Sequence, residues 1–237
     1  MTRAAKHHVV GISLLISLLA GCGGTGEGPA GQATASRDVP VGGASGRELA
    51  ELQVLHVGNG AEPGSIDPHR AEGVPSSNIQ RDLFEGLVNE APNGDLIPGA
   101  AESWEIADDG LTYTFDLRRD ARWSNGDAVL ADDWVYSLRR SLNPMTMSRY
   151  TFILNPIRNA AAVAAGEMEP TELGVRAIDD YTLEIQLEGP TPYFLGLLTH
   201  SASYAVHQPS VEAHGDQHTR PGNLVSNGAY QLDDWVV

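Results

Sequence analysis

The sequence has a single cysteine, Cys22, which excludes a fold stapled by disulfides within the chain. Positive charge is scarce: 15 Lys and Arg stand against 31 Asp and Glu, a formal net charge of -16. That balance repels phosphate backbones and anionic headgroups and argues against nucleic acid as a partner. Beyond the amino-terminal region no stretch is apolar enough to span a bilayer. The motifs of covalent and nucleotide chemistry are missing as well, with no Gly-x-Ser-x-Gly elbow, His-Glu-x-x-His helix or phosphate-cradling Gly-rich loop. These absences point away from an enzyme, and no cofactor is implied.

What is present begins with MTRAAKHHVVGISLLISLLAGCGG. Arg3 and Lys6 form a basic start and Val9 to Leu19 an apolar middle, followed by the small residues Ala20 and Gly21, which is the layout of an export signal over residues 1–21. Leu19-Ala20-Gly21-Cys22 resembles a bacterial lipoprotein signal, in which the thiol is alkylated with diacylglycerol and the chain is cut before it. Residues 22–48 are rich in Gly, Ala, Ser and Pro and lack apolar periodicity, so they read as a flexible tether.

Residues 49–237 have the spacing of a globular region. Leu52 to Val57 reads as a short strand. Ser76 or Ser77 is suited to cap a helix bearing Ile79, Leu83, Phe84 and Leu87, and Pro92-Asn93-Gly94-Asp95 is a turn. Leu111 to Leu117 and Tyr181 to Leu187 alternate apolar and polar residues, as half-buried strands do. Between them Asp132 and Asp133 open a helix with a stripe of Trp134, Val135, Leu138 and Leu142; Arg139 and Arg140 suit its carboxyl end, and Pro144 ends it. Asn159 to Gly166 suggests a short Ala-rich helix. The fold class is mixed: α/β in content, with helices and strands not strictly alternating, as in α+β chains.

Six words occur in order: SIDPHRAEGVPSSN, RDLFEGLV, PGAAESWE, LTYTFDLRRDARWSNGDAV, ADDWVYSLRRSLNP and LVSNGAYQLDDWVV. Together they resemble a periplasmic oligopeptide-binding protein, of the peptide- and nickel-binding class that feeds ABC transporters. Most of the recognisable residues read as structural: Trp104, Tyr113, Phe115, Trp123 and Trp134 are spaced to build a core beside a sheet, and Asn125-Gly126 marks a tight turn. Relatives place Thr where Leu130 stands; without that hydroxyl the helix start is expected to be weaker by about 1 kcal/mol.

The resemblance implies the first lobe of a two-lobed binding protein, with a subdomain inserted over roughly residues 75–175. Members of the class are much longer, so the chain is expected to be the amino-terminal part, stopping at Trp235-Val236-Val237 inside a strand, with the second lobe missing. It also implies oligopeptide ligands, ABC permease subunits as partners, a lipid-anchored periplasmic location and a monomer when full length. Glu72, Gly73 and Val74 would face an extended peptide, the main-chain groups of Glu72 and Val74 pairing with it, and Tyr150 and His200 would line the cleft. The acidic residue that anchors the ligand amino group would lie beyond Val237. Read without the resemblance, Glu72 is an ordinary solvated loop acid, Tyr150 a core-edge aromatic and His200 the partner of a buried carbonyl.

Two other readings stand beside this one. HQPSVEAHGDQH places His207, His214 and His218 with Asp216 as a candidate metal site. The bland reading of these histidines is solvated loop residues, and no metal is assigned. The remaining alternative is an inert truncation product.

The signal makes a prediction of its own. Cys22→Ser should leave the protein unprocessed or move it out of the detergent-extracted membrane fraction; unchanged membrane association would show that the cysteine carries no anchor.

Overall fold

The computed structural model describes residues 53–236, and one folded unit runs from His56 onward. The signal, Cys22 and the tether lie outside the described residues. The helices among the described residues are α1 (Val74–Leu83), α2 (Ala131–Leu142), α3 (Ala160–Ala164), α4 (Phe194–Leu197) and α5 (Gln208–His214). The strands are β1 (Val88–Glu90), β2 (Leu96–Pro98), β3 (Ala101–Ile106), β4 (Thr112–Leu117), β5 (Val175–Asp179) and β6 (Thr182–Gln186). This is the expected mixture of helix and sheet.

The two alternating segments meet. β4 and β6 are antiparallel neighbours in a four-stranded sheet of order β3-β4-β6-β5, with Tyr113 opposite Ile185 and Phe115 opposite Leu183. Because side chains alternate across a strand, this register puts all four on one face, and all four are buried. The apolar stripe of α2 covers that face: Trp134, Leu138 and Leu142 are fully enclosed, with Leu154, Ile157 and Val163 joining the same core. Burial of this kind contributes roughly 1.5 to 3 kcal/mol per large side chain. Trp123 belongs to the core too, while Trp104 packs against its edge and is only partly covered. β1 and β2 form a separate hairpin around the turn at residues 92–94.

α2 is buried on its other flank as well. Ser137 and Ser141 are fully enclosed, and the Ser137 hydroxyl accepts from Val206 N–H at 2.8 Å. That bond pins the chain from Tyr204 to Val206 along α2. There a second apolar cluster forms from Ile66, Leu83, Phe84, Tyr204 and Val206.

Three expectations need correction. Residues 53–57 form no strand, because no strand edge among the described residues pairs with them. α1 begins at Val74 rather than after a serine cap: Gly73 is its N-cap with φ 81°, Pro75 occupies the first turn, and Ser76 is buried inside the helix. Arg140 is not spent on the end of α2 but turns inward to Asp67. At the other end of α2 the Leu130 N-cap makes no side-chain bond, as expected, yet Asp133 Oδ2 reaches back to accept from Leu130 N–H at 2.8 Å. Half of a capping box is therefore in place.

Leu130 already has extended N-cap backbone, φ -119° and ψ 163°. Leu130→Thr should complete the box and raise stability by about 1 kcal/mol. Urea denaturation measures it, and an unchanged or lower midpoint would show that burial of the leucine outweighs the cap.

Candidate functional site

The segment SIDPHRAEGV enters the site from a buried anchor. Asp67 is 3% exposed and takes both ends of the Arg140 fork, at 3.0 and 2.6 Å. Arg140 Nη1 also lies 2.7 Å from His69 Nδ1, which must then accept; the ring proton sits on Nε2 and is donated to the Tyr204 carbonyl at 2.9 Å. Burial pushes the Asp67 carboxyl up, but the hydrogen bonds and charge of Arg140 outweigh it and hold the group at about 2. Burial and then the Arg140 charge lower His69 from 6.5 to about 4, so the ring is neutral. One arginine thus ties three pieces of chain together: the loop at 67–69, helix α2 and the Tyr204 segment.

That anchor holds the backbone from which Glu72, Gly73 and Val74 project. Glu72 and Val74 are exposed, and among the described residues no backbone group pairs with the N–H or C=O of Glu72 or the N–H of Val74. The Glu72 carboxylate lies 3.3 Å from Arg149, an exposed pair contributing at most about 1 kcal/mol. The next residue, Tyr150, stacks at a tilt on His200, ring centroids 4.8 Å apart, and lies 5.9 Å from Phe152. Four of the five candidate ligand-binding positions are therefore linked in two pairs by sequence and contact: Glu72 and Val74 on one loop, Tyr150 against His200, with Arg149 bridging the pairs. Gly73 serves α1 as its cap. His200 is not the partner of a buried carbonyl: its Nδ1 accepts from Ala202 N–H at 3.1 Å. Burial first, then the charge of Arg81, lowers its basicity.

The final recognisable word has a packing explanation. Asn227 accepts from Glu85 N–H at 3.1 Å and donates to Glu85 C=O at 3.1 Å, while Gly228 N–H and Tyr230 N–H bond Leu83 and Asp82 carbonyls. A Cβ on Gly228 would lie 2.4 Å from the Leu83 carbonyl carbon, so only glycine fits. This lacing forms one wall of a cavity of about 780 Å³ lined by Arg81, Glu85, Arg118, Thr199 and Tyr204 among others.

The histidines of HQPSVEAHGDQH do separate jobs. His207 is buried, caps α5 by accepting from Ser210 N–H, bonds Asp127 at 3.2 Å and meets the Trp123 ring edge-on. His218 is buried beside Asp67, its Nδ1 2.9 Å from the Gly215 carbonyl. His214 is exposed, and Asp216 pairs with Arg70. Solvated loop residue is thus the wrong description of His207 and His218, and no group of three such side chains among the described residues is arranged to hold a metal ion.

The model of the bacterial extracellular solute-binding proteins, family 5 middle region, matches residues 95–237. The chain belongs to that family of solute-binding proteins. Among its relatives the periplasmic oligopeptide-binding protein OppA of Escherichia coli is 44% identical over 239 residues, covering 100% of this chain and 41% of the relative. The probable deoxycholate-binding periplasmic protein YgiS of the same organism is 42% identical over 191 residues, 80% of this chain and 36% of that one. The crystal structure of Haemophilus influenzae OppA in complex with the peptide RPPGFSPFR matches with a TM-score of 0.78 at 45% identity, over 80% of this chain and 37% of that one. The chain thus spans about two fifths of the length of these relatives.

Sequence reading missed Asp67, His69, Arg140, Arg149 and Arg81. The only signal was the Asp-Pro-His word itself, which carries no spacing rule linking it to an arginine on a distant helix.

The anchor generates a pH prediction. His69 has a folded value near 4 against 6.5 when unfolded, so below pH 6.5 the unfolded chain takes up the proton first. Stability should therefore fall as pH drops from 6.5 to 4, by up to about 3 kcal/mol from this group. Asp67 extends the loss from 3.8 towards 2. The His69 ring signal in NMR should titrate near pH 4, and Arg140→Met should cost about 3 to 5 kcal/mol by leaving a buried carboxylate unpaired. A His69 ring titrating near 6.5, or a mild Arg140→Met, would contradict the network.

Proposed function

We propose that the chain is the first-lobe portion of the substrate-binding component of an ABC importer for oligopeptides. On this reading residues 1–21 direct export, Cys22 carries the lipid anchor on the periplasmic side, residues 22–48 tether, and residues 49–237 contribute to the binding region, with an inserted subdomain over roughly 75–175. Permease subunits receive the loaded protein, which acts as a monomer when full length. The ligand is held in a hinge cleft between this lobe and a second one.

One observation carries the reading: unpaired main-chain groups at Glu72 and Val74 lie on a loop bridged through Arg149 to the Tyr150–His200 pair. A receptor for many peptides must hold what all peptides share, the backbone, and an extended peptide laid beside free N–H and C=O groups gains strand-like hydrogen bonds whatever its side chains. The buried anchor at Asp67 keeps that edge in place before the ligand arrives, which reduces the ordering cost of binding. The OppA relatives, one named an oligopeptide-binding protein and another solved with a peptide, support peptides as the ligand class.

Calorimetric titration with mixed tri- to pentapeptides tests the reading, with deoxycholate as the competing ligand. Lobe closure supplies most contacts in proteins of this design, and a charged anchor adds roughly 1.5 to 3 kcal/mol, so binding to this chain should be about millimolar. Extension with a relative's remaining sequence should tighten it by orders of magnitude. Binding of deoxycholate with no binding of any peptide would overturn the assignment, and micromolar peptide binding by this chain alone would show that the division of contacts between lobes is wrong.

A further inference from the structure

The connection from α2 to α3 leaves large apolar side chains in water. Met145, Met147 and Phe152 are all exposed, Phe152 at 58%. An isolated exposed apolar residue is ordinary, but three on one short connection mark a surface suited to a partner.

Phe152 differs from the two methionines in what it touches. Its ring centroid lies 5.9 Å from that of Tyr150 at a tilt of 54°, and Tyr150 lies 4.8 Å from His200 at 59°. Both spacings fall in the range that aromatic pairs prefer, so His200, Tyr150 and Phe152 make one row of three rings. The turn Thr151–Leu154 packs on the turn Ser201–Ser203, and Leu154 is fully enclosed in the core. The segment is thus anchored through Leu154 while Phe152 stays in water.

Two further contacts bring this row to the candidate peptide edge. Arg70 Nε donates to the Thr146 carbonyl at 2.9 Å, and Arg149 pairs with Glu72 at 3.3 Å. The loop that carries Glu72 to Val74 is therefore fastened at both points to the segment that runs directly into Tyr150 and Phe152. An extended peptide paired with that loop presents every second side chain to the same side, about 7 Å apart. The rings it meets are uncharged: His200 Nδ1 accepts from Ala202 N–H, and burial lowers the basicity of the ring.

We infer that Phe152, together with Tyr150 and His200, forms a ledge that takes an aromatic side chain of the bound peptide, which makes Phe152 a specificity-determining residue. This rests on the peptide reading of the site. The contact is ring on ring, so it rewards an aromatic side chain in whichever register the backbone pairs.

Tripeptides titrated into the chain and followed by NMR test the ledge. Ala-Phe-Ala, Phe-Ala-Ala and Ala-Ala-Phe are each compared with Ala-Ala-Ala, and Ala-Lys-Ala serves as the cationic rival for the ring faces. At least one Phe peptide should bind about five- to tenfold tighter than Ala-Ala-Ala, with cross-relaxation between its ring protons and those of Phe152 and Tyr150. Phe152→Ser, at an exposed position, should bring that ratio close to one, and Phe152→Tyr should keep it. Met145→Gln, on the same connection, should leave the ratio unchanged. Equal affinities for Phe and Ala peptides, a preference that survives Phe152→Ser, or tighter binding of Ala-Lys-Ala than of every Phe peptide would overturn the ledge while leaving the peptide reading intact. Self-association of the chain that is lost in Phe152→Ser, with no aromatic preference, would overturn it too and make the surface an interface between copies. Failure of every peptide to bind would overturn both readings.

Discussion

The bidentate contact between Arg140 and Asp67 is the constraint on which the rest of the site depends. Both side chains are shielded from water, and the pair sits where three pieces of chain cross. A buried ion pair is seldom a net source of stability, because the cost of removing two charges from water consumes much of the attraction. Its value here is geometric. With Arg140 fixed on α2 by the sheet core, Asp67 and His69 can sit in only one place, and Tyr204 is held by the His69 ring. Glu72 to Val74 follow Asp67 by a few residues, Tyr150 follows the end of α2, and His200 precedes Tyr204. Each candidate binding group is therefore one short segment away from the same pair of charges.

A second constraint closes the opposite side. Asn227 satisfies both backbone groups of Glu85, and the absence of a side chain at Gly228 lets two stretches of backbone lie in contact. Glu85 in turn holds Arg118. The cavity wall is thus built from backbone and from side chains already committed to one another. Arg81 is exposed at the rim and has no carboxylate partner among the described residues, whereas Arg118 is neutralised by Glu85.

Much of the scaffold was legible in the sequence because periodicity reports burial. The alternation of Leu111 to Leu117 and Tyr181 to Leu187 gave both central strands, and the spacing of Trp134, Val135, Leu138 and Leu142 gave the covering helix. β3 and β5 were not recognised, since β3 exposes most of its side chains and shows no clean alternation. The start of α1 was misplaced because Ser76 and Ser77 look like caps, whereas Gly73 with its positive φ and Pro75 in the first turn set the boundary. The site was legible only through resemblance. Nothing local in Glu72, Tyr150 or His200 distinguishes a ligand contact from an ordinary loop acid or edge aromatic, and the Asp67–Arg140 contact spans a sequence separation of 73 residues that no pattern rule reaches.

The central claim is that this buried pair presents the Glu72–Val74 backbone and the Tyr150–His200 rings as one surface for an extended peptide. Amide-resolved NMR of the chain during titration with a free tripeptide tests it most directly. The account predicts that the largest shifts fall at the amides of Glu72, Gly73 and Val74 and around Tyr150 and His200, with those of the sheet core unmoved. Shifts confined to other surfaces, with residues 72–74 silent, would contradict it.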